Sequence, residues 1–140
     1  MTDEQKNRLE FWNSVSTTPE KYVKKVSYGS RSFHTIDAHF QIMRATAEWG
    51  MYGKAWGLRK EKYTLFGSTV ILYQAKLFYP DGEFDIHADI SLIQGQKVNA
   101  DWSKKVATDA LTKGLSKLGF SSDVFLGKFD TNKYTEQNTK

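Results

Sequence analysis

A chain of 140 residues with a net charge of +4 is long enough for one domain with a real core, but not for two. It has no cysteine, which excludes a disulfide framework and a thiolate metal site and suits a reducing compartment. The start, MTDEQKNRLEFWNS, is charged and lacks an apolar core, and no apolar run reaches the roughly 20 residues that span a bilayer, so a soluble, cytoplasmic protein without a membrane partner is expected.

Residues 1–14 read as a short helix around Leu9, Phe11 and Trp12, and Thr17 to Phe33 as irregular, with Pro19, Gly29 and several serines and threonines among basic residues. Thr35 is the expected N-cap of a helix from Ile36 to Trp49, with Ile36, Phe40, Met43 and Ala47 on its buried face and Gly50 at its end. Three strands follow. Ala55 to Phe66 turns at Gly67-Ser68 into Thr69 to Tyr79, which turns at Pro80-Asp81-Gly82 into Glu83 to Ile93. The last is the cleanest, with Phe84, Ile86, Ala88, Ile90 and Leu92 on one face and Glu83, Asp85, His87, Asp89 and Ser91 on the other. A polar connection, Gln94 to Ala100, leads past Asp101, a capping residue, into a final helix that stops at Gly119. The order predicts an α+β fold, a helix, a three-stranded antiparallel sheet and a long helix packed on one sheet face. It is read as a single domain over 1–134 with a short tail over 135–140.

The final helix carries the strongest functional signal. Val106, Ala107, Ala110, Leu111, Gly114, Leu115 and Leu118 make a narrow apolar stripe. Lys105, Asp109, Lys113 and Lys117 form an i,i+4 row on the other side, with Lys104 beside it. Such a row can hold a phosphate backbone without reading bases, or it can be a solvated face with Asp109 paired to Lys113. The charge layout bears on that choice. Glu20 to Lys62 has nine Lys or Arg against four acids, Tyr63 to Ser103 five acids against two lysines, and Lys104 to Lys133 six lysines against three aspartates. Basic segments flanking an acidic one suit nucleic-acid binding, and they also suit self-assembly through complementary patches.

Signals for catalysis are weak. Gly114 to Gly119 lacks the Lys-Ser/Thr of a phosphate-binding loop and lies within a helix. His34, His39 and His87 have no ligand spacing. There is no Gly-x-Ser-x-Gly elbow. Glu83, Asp85 and Asp89 alternate on one strand face and could hold Mg²⁺ for a nuclease, but no lysine at strand spacing completes that constellation. The chain is read as a non-enzyme that needs no cofactor and holds no metal.

Several blocks together resemble the phage-type single-strand annealing proteins, the superfamily of the Sak and Erf recombination proteins and the eukaryotic Rad-fifty-two annealing domain. They are Trp12-Asn13 with Thr18-Pro19-Glu20-Lys21-Tyr22; the helix to Trp49 with Gly53-Lys54-Ala55-Trp56-Gly57; Thr108 to Lys113 running into Leu118-Gly119-Phe120-Ser121; and the hook Asp123 to Gly127 with Phe129-Asp130 and Lys133-Tyr134. The resemblance implies ATP-independent single-stranded DNA binding and annealing of complementary strands in phage recombination and DNA repair, in the host cell cytoplasm. It also implies a homo-oligomeric ring or helical filament with ssDNA in a basic groove. A phage exonuclease or a single-strand binding protein would be the further partner. The family's DNA-lining positions match Lys113 with Lys117, and Lys25 with Lys24. Arg31, Lys60, Lys104 and Lys105 are added for charge and location. The family's eukaryotic members carry two adjacent basic residues on the helix, where this chain has Thr112-Lys113, which implies a less charged groove. A ssDNA-coating protein that does not anneal is the alternative, with a Mg²⁺-dependent nuclease behind it. Tyr28, Phe33, Tyr52 and Trp56 are open to base stacking or to core roles.

Overall fold

A computed structural model of the chain describes residues 1–127, with the backbone alone at Tyr28 and Arg31. Phe129, Asp130, Lys133, Tyr134 and the expected tail over 135–140 lie outside the described residues. The elements are α1 (Asp3–Arg8), α2 (Glu10–Val15), a 3-10 turn (Glu20–Tyr22), β1 (Val23–Tyr28), β2 (Arg31–Ile36) and α3 (Ala38–Trp49). Then come β3 (Gly57–Phe66), β4 (Val70–Tyr79), β5 (Gly82–Ser91), the short pair β6 (Ile93–Gln94) and β7 (Lys97–Val98), α4 (Trp102–Lys117) and α5 (Ser122–Phe125). The fold is α+β, as the patterning predicts. The chain divides into two compact units, Thr46–Gly114 and the remainder, Met1–Ala45 with the segment from Leu115 onward.

In the unit Thr46–Gly114, β3, β4 and β5 form an antiparallel meander. The alternation read on β5 is realised: Ile86 and Ala88 are buried, while Glu83, Asp85, His87 and Asp89 are exposed. β4 supplies the rest of the dry face with Ile71, Tyr73, Ala75 and Leu77. Helix α4 packs there, with Val106, Ala110 and Gly114, one residue per turn, turned inward and buried. Gly114 is the close approach. A Cβ at this position would lie 2.7 Å from Ile86 Cγ2 and 3.2 Å from Leu77 Cδ1. Glycine inside a helix costs about 1 kcal/mol relative to alanine, and here it lets the helix settle onto two buried side chains. Beyond the helix, Trp49 stacks on Tyr79 with ring centroids 5.3 Å apart, and Trp56 donates its indole N–H to the Gly50 carbonyl at 3.0 Å.

In the other unit, the segment after α4 closes against the N-terminal residues. Gly119 has φ +107°, and a Cβ there would meet Trp12 Cα at 2.9 Å. Phe120 is fully buried, edge-on to Phe11 at 5.7 Å, and its carbonyl accepts the Gln41 amide N–H at 3.1 Å. Ser121, left-handed at φ +54°, donates its backbone N–H to the Val15 carbonyl at 3.0 Å. The Asp123 carboxylate accepts the Thr18 N–H at 2.8 Å and the Thr18 hydroxyl at 2.7 Å, and also caps the Val124 N–H at 2.8 Å. The blocks Thr18-Pro19-Glu20-Lys21 and Asp123 to Gly127 are therefore joined in space.

Three expectations are corrected. Residues 17–33 are not irregular: the 3-10 turn and the β1–β2 hairpin occupy most of them, turning at Gly29-Ser30 with Gly29 at φ +62°. Val23-Lys24-Lys25-Val26 lacks strict alternation, because both faces of this two-stranded ribbon reach water. Helix α3 starts after Asp37, whose carboxylate accepts the His39 N–H at 2.9 Å, while Thr35 and Ile36 belong to β2. Its buried residues are Phe40, Gln41 and Ala45, whereas Met43 and Ala47 are exposed. The polar connection 94–100 also contains the small β6–β7 hairpin.

Two substitutions test this packing. Gly114→Val forces a branched side chain against Ile86 and Leu77 and is expected to cost about 2 kcal/mol in urea unfolding, outweighing any gain in helix propensity. Asp123→Ala leaves the buried donors of Thr18 without their acceptor and is expected to lose about 1–3 kcal/mol in the same assay.

Candidate nucleic-acid interface

The eight basic candidates fall into two sets, one in each unit. Lys24 and Lys25 are neighbours on β1, opposite Thr35 and His34, so their side chains leave the ribbon on opposite faces. Both are exposed, and among the described residues neither makes an ion pair. Arg31 pairs with Tyr28 at the hairpin end, which places it on the same ribbon through its backbone. Lys117 is exposed in the last turn of α4.

In the unit Thr46–Gly114, Lys104, Lys105 and Lys113 are exposed on α4. The row is partly engaged. Lys105 Nζ donates to Asn99 Oδ1 at 2.9 Å, and Lys113 Nζ lies 2.9 Å from Asp109 Oδ2. That second contact is the pairing set out above as the solvated-face reading. It is exposed and worth little, so it leaves Lys113 able to exchange one anionic partner for another. Lys60 is elsewhere. It sits on the sheet face opposite α4, beside Lys62, Gln74, Lys76, Asp85 and His87, which line one shallow groove. The geometry therefore does not join Lys60 to the helix row.

That outer sheet face also holds residues the sequence reading passed over. Lys76 Nζ is 2.9 Å from Asp85 Oδ1, and the hydrogen bond holds the Lys76 ammonium above its ordinary value. Arg59 reaches Glu83 at 3.9 Å and lies over the Phe78 ring at 3.7 Å. A lysine does stand beside the acidic row, supplied by β4 across the ladder, where a search along β5 alone cannot find it. Among the described residues no three His, Cys, Asp or Glu side chains gather as a metal site, and no helix is long and apolar enough to cross a membrane.

Of the aromatic candidates, Trp56 is core, while Phe33 and Tyr52 are about half exposed. Tyr63, not among them, is also about half exposed and pairs with buried Tyr73. Burial, then the charge of Glu61, raises the ionisation of Tyr52, Tyr63 and Tyr73 above the ordinary tyrosine value of 10.0, most strongly for Tyr73. No protein-family model matches the chain, and no curated protein matches it either.

The tyrosines give a pH signature. Their folded values are raised, so the unfolded chain loses these protons first as pH climbs past 10.0. Stability is expected to be level with respect to these groups below that pH and to fall above it. Tyr73→Phe should flatten the fall, measured by urea unfolding between pH 8 and 11, roughly one unit or more on either side of the usual tyrosine range.

Proposed function

We propose that the protein binds single-stranded DNA through its phosphates and anneals complementary strands without ATP, as a homo-oligomer. The observation that carries this reading is the β1–β2 ribbon. It presents Lys24 and Lys25 to solvent on both faces with no carboxylate neutralising either among the described residues. A second source of cations is α4, whose packed face leaves Lys104, Lys105 and Lys113 directed outward. The order of a helix, a three-stranded antiparallel sheet and a long helix agrees with the fold that the annealing-protein resemblance implies.

Lysine is suited to this task. Its ammonium is a point charge on a flexible stem, which neutralises a phosphate without fixing its orientation. Backbone contacts carry no base information, so one surface serves every sequence. A strand held by its phosphates keeps its bases available, and two such strands repel each other less than bare ones. Pairing then proceeds by the bases' own stacking and hydrogen bonding.

Annealing of two complementary oligonucleotides, followed by fluorescence without ATP, tests the reading. The wild-type chain is expected to speed pairing, and Lys24→Glu with Lys25→Glu to remove most of that acceleration while leaving the unfolding transition in place. Tight binding with slowed pairing would make the protein a ssDNA-coating protein instead. No binding at low salt would end the nucleic-acid reading.

A further inference from the structure

The three-stranded sheet ends on β3 at one side and β5 at the other, each ten residues long. Among the described residues no further strand pairs with either edge. An open edge offers its backbone N–H and C=O groups to an added strand. β3 also carries apolar surface that its own sheet leaves uncovered. On the face packed against α4, Tyr73 and Ile71 of β4 are buried, whereas their ladder neighbours on β3, Tyr63 and Leu65, are 42% and 54% exposed. Phe66, on the other face, is 55% exposed. The register shifts between Arg59 and Lys62, where Lys60 takes a left-handed φ of +55°. A bulge and lysines are devices that guard an edge, but they occupy only the first half of β3. From Lys62 to Phe66 the register is regular, and Tyr63 to Phe66 carries no charge.

Charge selects the strand that fits this edge. β3 has Arg59, Lys60 and Lys62 against Glu61, while β5 has Glu83, Asp85 and Asp89 and no lysine or arginine. Within the sheet, Arg59 reaches Glu83 and Lys76 holds Asp85. Lys60, Lys62 and Asp89 are exposed, and among the described residues none of them makes an ion pair. Two β3 edges would set lysines against lysines, and two β5 edges carboxylates against carboxylates; β3 against β5 opposes unlike charges. Both strands are antiparallel to β4 and so run the same way, which lets a second copy in the same orientation lay its β5 parallel to this β3. Set level with the existing rows, that strand puts its Ala88 and Ile90 beside Tyr63 and Leu65. Its Asp89 falls beside Thr64, one step along the outer face from Lys62. We propose that the β3 edge is the docking site for β5 of a second copy of this chain, so that the sheet continues from subunit to subunit. Such a contact is heterologous and repeats into a ring or a filament. The inference rests on the homo-oligomer of the proposed function, names its interface, and moves Lys60 from DNA to the subunit contact.

The test is sedimentation of the full chain without DNA over a range of concentrations. The wild type is expected to assemble. Leu65→Ser with Phe66→Ser, at positions already exposed, is expected to abolish assembly. Lys60→Glu with Lys62→Glu, or Asp89→Lys alone, should raise the concentration needed for it several-fold. An unchanged unfolding transition checks that each variant folds. Mixing then identifies the two edges. The Lys60→Glu/Lys62→Glu chain and the Asp89→Lys chain each oppose like charges when alone, but alternate copies of the two restore unlike pairs. The mixture is therefore expected to recover most of the wild-type assembly. A monomeric wild type, normal assembly of Leu65→Ser/Phe66→Ser, or a mixture no better assembled than its parts would overturn the proposal. Strand pairing is scored separately. Assembly that follows these variants in a chain that does not anneal keeps the interface and ends the annealing reading; annealing by a chain whose assembly ignores them does the reverse.

Discussion

The contact between Gly114 and the β4–β5 face decides what α4 can do. Because position 114 has no side chain, the helix comes close enough for Ile86 and Leu77 to fill the space where a Cβ would be. Val106 and Ala110 fall on the same line and are buried with it. A helix packed closely along one stripe leaves its remaining surface to solvent. The outward direction of Lys104, Lys105 and Lys113 is therefore a consequence of packing. A larger residue at 114 would disturb those lysines without touching one of them.

Several residues that carry the resemblance to annealing proteins have structural work in this fold. Gly119 provides a left-handed turn against Trp12, Phe120 fills the core of its unit, and Asp123 ties Thr18 through two hydrogen bonds. These blocks close the chain on itself. The chemistry proposed for the protein rests instead on exposed lysines, whose number and spacing are far less constrained by folding. That division separates what holds the molecule together from what would meet DNA, and it makes charge-changing variants informative because they spare the core.

Legibility in the sequence followed the strength of the physical signal. β5 was plain because every second residue is apolar, and α4 because small apolar residues recur at helical spacing up to Gly119. The β1–β2 hairpin was hidden because a ribbon wet on both faces has no alternation to detect. The buried side of α3 was misplaced because one of its core residues is Gln41, whose amide reaches the Phe120 carbonyl, a partner 79 positions away. The same limit applies to the surface sites. Lys76 meets Asp85 across a ladder, so that pair does not exist until the register is known. Lysine positions were readable as charge, and the Asp109–Lys113 pair from its i,i+4 spacing; a partner outside the helix, Asn99 for Lys105, was not.

Salt dependence of ssDNA affinity is the most direct measurement of phosphate-borne binding. Two oligonucleotides of equal length and different sequence would be titrated across a range of salt concentrations. Affinity should fall linearly in logarithmic coordinates, with a slope of about −0.7 per phosphate contacted, and should be nearly the same for both sequences. A shallower slope is expected when Lys24 and Lys25 are replaced by alanine. Affinity that ignores salt, or that strongly prefers one sequence, would contradict binding through the phosphate backbone.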